Sequence, residues 1–93
     1  MSIIAELKYF GQAVLSSGTA TIPADPTGVG PPYVDVPHTL GFVPDINKIK
    51  LTMKTNLDGR DVWLSNITTA NLRINISNTD PLTAFDFGYA ILR

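Results

Sequence analysis

The sequence offers one imidazole, His38, and eight carboxylates: Glu6, Asp25, Asp35, Asp45, Asp58, Asp61, Asp80 and Asp86. A histidine works as a general base only beside a group it can deprotonate. Ser16, Ser17 and Ser65 are available, but none sits in a Gly-x-Ser-x-Gly elbow. His38 therefore reads as a packing or hydrogen-bonding residue of the turn before Gly41. Glycoside hydrolysis needs two carboxylates flanking one bond, whereas Asp25, Asp45, Asp58 and Asp80 each adjoin Gly or Pro, where Asp forms turns. The run Asp58-Gly59-Arg60-Asp61 lacks the alternating acids and distal Glu of an EF-hand. The other reading of these acids is a weak cation site between subunits. One His and no Cys are too few ligands for structural zinc. Gly28 and Gly30 lie among prolines with no helix after them, so they make no phosphate cradle. No cofactor is expected, and no catalytic set is assembled: the residues point away from an enzyme.

Aromatic residues are the remaining chemistry. Trp63, Tyr33 and Tyr89 have rings that can stack on sugars. Aromatics also dominate cores and interfaces, and that reading applies to Trp63, Phe85, Phe87 and Tyr89 alike. Two glycosylation patterns occur, Asn66-Ile67-Thr68 and Asn75-Ile76-Ser77. No secretory signal is legible, and Asn75 falls mid-strand, so both read as coincidence.

The elements that would position these residues are strands. Ile49, Leu51 and Met53 alternate with Lys48, Lys50, Thr52 and Lys54, the period of a half-buried strand. The three lysines then share a solvated face, where they discourage unwanted sheet pairing. Asp58-Gly59 is a strong turn pair. Val62, Trp63 and Leu64 follow, and Leu72, Ile74 and Ile76 alternate with Asn71, Arg73, Asn75 and Ser77. Asn78-Thr79-Asp80-Pro81 breaks that strand. In the last run Phe85, Phe87, Tyr89 and Ile91 line one face. Asp86, Gly88, Ala90 and Leu92 line the other, which turns apolar towards its end, as a strand covered on both sides does. Joined by short turns, these four strands predict an antiparallel meander.

The first half is less regular. Residues 13–22 read as a hairpin turning through Ser16-Ser17-Gly18. Residues 1–10 form an N-terminal arm, either a helix capped by Ser2 with Ile3, Leu7 and Phe10 on one side or an extended segment. Residues 23–32 hold four prolines and two glycines and must be loop. Pro31-Pro32 favours extended polyproline geometry. Tyr33-Val34-Asp35-Val36 is a short strand that Pro37 ends or places at an edge. The expectation is a single all-β domain over residues 1–93: a small antiparallel β-sandwich of six or seven strands with a Pro/Gly-rich loop and an N-terminal arm.

Composition bounds the partners. A chain of 93 residues makes one small domain with a thin core. Without Cys or metal, oligomerisation is the common remaining support. Hydrophobic residues make up 44% of the chain and charged ones 16%, below the usual share of about a quarter, which leaves apolar surface for partner subunits. The formal net charge of −1, with scattered Arg and Lys, gives no footprint for nucleic acid. No apolar run approaches the ~20 residues that span a bilayer, so no membrane partner is expected. The opening Met1 and the absence of a basic segment followed by an apolar one suggest synthesis in the cytoplasm.

Residues 36–93 carry a resemblance. The order Val-x-His-x-Leu-Gly-Phe-x-Pro-Asp, then strands beginning at Val62-Trp63 and Thr68-Thr69, and an aromatic strand ending Tyr89-Ala90-Ile91, resembles the small β-sandwich modules of tailed-phage virion proteins. Tail fibres and related surface components are the main examples. The layout is also similar to the H-type lectin domain, a six-stranded, trimer-forming sandwich. The most specific piece is the turn holding His38, Leu40, Gly41, Phe42, Pro44 and Asp45. The resemblance implies a non-enzymatic virion protein assembling as a homotrimer. It would be a capsid decoration or tail accessory protein that contacts other virion proteins, capsid or tail, after synthesis in the host cytoplasm. The chain starts at its own Met1 with no fibre shaft, which fits a decoration better than a fibre. The alternative is a receptor-binding module that holds surface glycan. Pro26, Gly28, Gly30, Pro31, Pro32 and Tyr33 of the loop, with the arm, are the segments expected to touch a partner.

Overall fold

A computed structural model describes residues 13–93; the N-terminal arm expected over residues 1–10 lies outside the described residues. Six strands follow in order: β1 (Val14–Ile22), β2 (Tyr33–Pro37), β3 (Ile49–Met53), β4 (Val62–Ser65), β5 (Asn71–Ile76) and β6 (Phe85–Leu92). A 3-10 turn, Ile46–Lys48, leads into β3. The strands form two three-stranded antiparallel sheets, β1-β6-β3 and β2-β5-β4. The all-β sandwich expected from the sequence is present.

Alternation explains why these segments are strands. On β5, Leu72, Ile74 and Ile76 are fully buried, while Arg73 and Asn75 face outward. On β6, Phe85, Phe87 and Ile91 point into the same core. β1 supplies Ile22, β2 supplies Val36 and β3 supplies Ile49. Each buried aliphatic or aromatic side chain contributes about 1.5–3 kcal/mol, so the two facing central strands carry most of the stabilisation.

The pairing differs from the sequence expectation in two places. β3 to β6 are not a meander. Only β4 and β5 pair as neighbours in sequence; β3 crosses to β6, and β5 lies in the other sheet. Alternation fixes which face of a strand is buried, but it says nothing about which strand lies beside it. Nor do residues 13–22 form a hairpin. Val14–Ile22 is one continuous strand along β6, with a bulge between Val14 and Ser16. The glycine in it has a packing role instead. A Cβ on Gly18 would come within 3.0 Å of the Tyr89 hydroxyl. The Ser-Gly run therefore makes room for a ring on the neighbouring strand.

One end of the sandwich is held by Arg60. Its Nε donates to the Asn78 carbonyl at 2.8 Å, Nη1 to Leu57 at 3.2 Å and Nη2 to Thr79 at 3.3 Å. Nη2 also lies 3.5 Å from an Asp80 oxygen, and the guanidinium sits 4.9 Å from the centre of the Phe85 ring. One side chain thus ties the turn before β4 to the turn before β6. Lysine keeps the charge but loses the planar fork. Arg60→Lys should lower the unfolding free energy by about 1–2 kcal/mol, read as a shifted urea midpoint with unchanged slope; an unmoved midpoint contradicts this role.

Candidate functional site

His38 is buried directly after β2. Its Nε2 lies 2.8 Å from the Thr68 carbonyl, and its Nδ1 accepts the Leu40 N–H at 3.2 Å. A carbonyl only accepts, so this geometry assigns the proton to Nε2. The backbone bonds His38 N–H to Ala70 O and Gly41 N–H to Thr69 O fasten the same turn to the β4–β5 connection. Both ring nitrogens are used within the fold. Thr39, at φ 53°, is β-branched in the left-handed region, a strained conformation.

The rest of this turn builds a cleft. Asp45 accepts the Asn47 N–H at 2.9 Å and starts the 3-10 turn. Pro44 is buried, while Phe42 is half exposed. Phe42 and Pro44 stand over the outer face of the end of β6, where Leu92 lies, and Leu15 of β1 closes the side. The resulting cleft of about 410 Å³ is mostly apolar, with Lys48 and Arg93 at its rim. Val43 and Ile46, more than half exposed, adjoin it in sequence. The second, apolar face of β6 read from the sequence is thus covered partly by the chain's own Phe42 and Pro44.

The Pro/Gly loop is organised by Asp25. Its carboxylate accepts from Thr27 Oγ1 at 2.6 Å, Gly30 N at 2.6 Å, Thr27 N at 3.2 Å and Thr79 Oγ1 at 3.3 Å. A Cβ on Gly30 would meet this carboxylate at 2.9 Å, so any larger residue would have to displace it. Pro26, Gly28 and Pro31 are exposed, and Pro32 and Tyr33 are half-buried. Pro32 gives its carbonyl to the Ile76 N–H at 2.9 Å. This binds the end of the loop to β5.

The aromatics separate. Phe85 and Phe87 are core, and Tyr89 packs beside it. Trp63 is 49% exposed on the outer face of the β2-β5-β4 sheet. There the register sets Tyr33, Asn75 and Trp63 in one row and Asp35, Arg73 and Ser65 in the next. Arg73 stacks on Tyr33 at 3.8 Å from the ring centre. It donates to Asp35 from Nε at 2.8 Å and Nη2 at 3.1 Å. Asn75 Nδ2 donates to Ser65 Oγ at 2.9 Å and to the Trp63 carbonyl at 3.2 Å. From the sequence alone Arg73 reads as one of several scattered cations. The available signal was an outward-facing charge in each of two strands, Asp35 between Val34 and Val36 and Arg73 between Leu72 and Ile74.

Lys50 and Lys54 are exposed on or just beyond β3, and Lys48 is half-buried in the 3-10 turn. Among the described residues, no group of three or more His, Asp or Glu side chains is placed to hold a metal ion. No helix among them is long and apolar enough to cross a membrane. The chain matches no protein-family model, no curated protein and no solved structure.

Two predictions follow from these contacts. His38→Ala leaves the Leu40 N–H and the Thr68 carbonyl without partners, at a cost of about 2–4 kcal/mol. Chemical denaturation should show that loss, and a change below about 0.5 kcal/mol contradicts it. The second concerns acid. Among the described residues, three carboxyls are held below their ordinary value of 3.8: Asp25 chiefly by the Thr27 hydroxyl, Asp35 by the Arg73 guanidinium, and Asp80 chiefly by the Leu82 N–H. Folded values below unfolded ones give stability that is full above the unfolded pKa and lost as pH falls through the folded one. Melting temperature should therefore hold near neutrality and fall below about pH 4. Asp25→Asn should melt lower at pH 7 and lose less between neutrality and pH 3; an equal loss in both proteins contradicts the assignment.

Proposed function

We propose that this chain is a non-enzymatic structural protein that assembles with copies of itself, as a homotrimer on the surface of a virion. The observation that carries the self-association is the apolar end of the sandwich. Leu15, Phe42 and Leu92 line an open cleft, and Val43 and Ile46 add exposed apolar surface beside it in sequence. Contiguous exposed apolar surface rimmed by charge is characteristic of protein interfaces. Burying it against a second copy would also supplement a core drawn from only 93 residues. The environment of His38 supports the non-enzymatic reading, since both ring nitrogens are engaged by the backbone.

The virion setting rests on the likeness of residues 36–93 to tailed-phage surface modules. A decoration or tail accessory protein works by adhesion and reinforcement through buried area and needs no reactive centre. Capsid and tail are distinguished by the neighbouring reading frames: a major capsid gene marks decoration, and a fibre or baseplate gene marks the tail.

Sedimentation equilibrium tests the assembly directly. The wild-type chain should sediment as a trimer, and Phe42→Asp should sediment as a monomer with an unchanged far-ultraviolet spectrum. A wild-type monomer at every concentration overturns the proposal. So does a Phe42→Asp chain that remains fully trimeric.

A further inference from the structure

The outer face of the β2-β5-β4 sheet is a second surface, built quite differently from the apolar cleft. Trp63 is 49% exposed. Its neighbours on that face are not apolar: Asn75 lies opposite it on β5, and Ser65 follows it on β4. A protein-docking patch has an apolar centre and a polar rim. Here two rings, Trp63 and the Arg73-covered Tyr33, stand among hydrogen-bonding groups.

Those groups are held in place. Asn75 spends its amide hydrogens on Ser65 Oγ and the Trp63 carbonyl, which turns its Oδ1 away from both as a free acceptor. Ser65 Oγ accepts from Asn75, leaving its own hydrogen to donate. Arg73 is clamped between the Tyr33 ring and the Asp35 carboxylate through Nε and Nη2. Among the described residues nothing pairs with its Nη1. Tyr33 and Trp63 flank Asn75 across three strands, so their backbones stand about 10 Å apart. The face thus presents a flat aromatic surface on one side and a stacked guanidinium on the other, with a fixed acceptor and donor between them.

The charge on this face is balanced. Arg73 is neutralised by two hydrogen bonds to Asp35, so nothing here selects an anion. A fitting ligand has an apolar flat side for Trp63 and a rim of neutral hydroxyls or amides for Asn75, Ser65 and Arg73. A neutral pyranose ring has both, with its axial C–H groups on one face and hydroxyls at the edge. From this geometry we infer that the outer face of the β2-β5-β4 sheet is a binding site for a neutral saccharide, with Trp63 as the stacking surface and Asn75, Ser65 and Arg73 as the polar contacts. Ligand sites of this kind combine an aromatic surface with a few well-placed polar groups.

The chain's single tryptophan makes the test direct. Its fluorescence is titrated with glucose, galactose, mannose, N-acetylglucosamine and N-acetylgalactosamine, with N-acetylneuraminic acid as the anionic comparison, and isothermal calorimetry repeats each titration. At least one neutral sugar should give a saturable change in the millimolar range expected for one small ring. By calorimetry, Trp63→Ala should weaken that affinity at least about tenfold. Asn75→Ala retains the ring and should weaken it several-fold, with the spectral signal preserved. Each variant is first shown to keep the wild-type far-ultraviolet spectrum. Three results overturn the inference: no saturable response to any neutral sugar, binding confined to N-acetylneuraminic acid, or affinity unchanged in both variants. A Trp63→Ala chain that alters only the oligomeric state assigns the face to a second copy and likewise overturns it. The apolar cleft takes no part in this site, so a monomeric wild-type chain leaves the test intact.

Discussion

The packing of Phe85, Phe87 and Ile91 on β6 against Leu72, Ile74 and Ile76 on β5 is the contact on which the rest of the molecule depends. β6 and β5 are the middle strands of their sheets. Each hydrogen-bonds two neighbours, and each presents its large side chains to the other. A substitution that emptied a Phe87-sized space would cost about 3–5 kcal/mol. That is a large part of what a small domain has in total. The edge strands then need only a residue or two of their own in the core: Ile22, Val36 and Ile49 are their fully committed contributions.

Away from this core the chain is ordered by side chains bonding to backbone. Asp25 holds the Pro/Gly loop, Arg60 joins two turns at one end, and His38 fastens the turn after β2 to the β4–β5 connection. These three residue types all attract catalytic or ligand-binding readings in a sequence. In this fold their polar atoms are occupied by amides, carbonyls and hydroxyls close by. Among the described residues, two exposed surfaces are of unlike kinds. One is the apolar cleft under Phe42, and the other is the polar-aromatic face around Trp63. Polar backbone ties at the turns leave apolar side chains such as Phe42 and Ile46 unneeded by the core and exposed.

Strand positions were legible because β3, β5 and β6 alternate cleanly, and the buried face of each is the one its sequence indicates, save that Met53 at the end of β3 is exposed. The partners of those strands were not legible. Nothing in the alternation of β6 distinguishes β5 beside it from β5 beneath it. The Ser16-Ser17-Gly18 run misled for a related reason: glycine serves a turn or a close approach equally, and only the position of Tyr89 decides between them. Of the site, the turn from His38 to Asp45 stood out only as the most specific piece of a family resemblance. The cleft it helps form did not, because Leu15 and Leu92 join it from opposite ends of the chain. Tyr33, Arg73 and Asn75 come together only through register.

The pairing of β1 with β6 also bears on how the protein comes to be made. Thr21 and Asp86 share a hydrogen bond across 65 residues of chain, and β3 too must wait for β6. During synthesis at about 5–20 residues per second, β1 spends several seconds outside the ribosome with its ladder partner not yet translated. Long-range pairing of this sort also slows the search itself. Throughout that interval β1 displays open backbone groups along a nine-residue strand. Its run of Ser, Ser, Gly, Thr and Thr, with few large apolar side chains, suits a strand that must stay unpaired and soluble until its partner emerges.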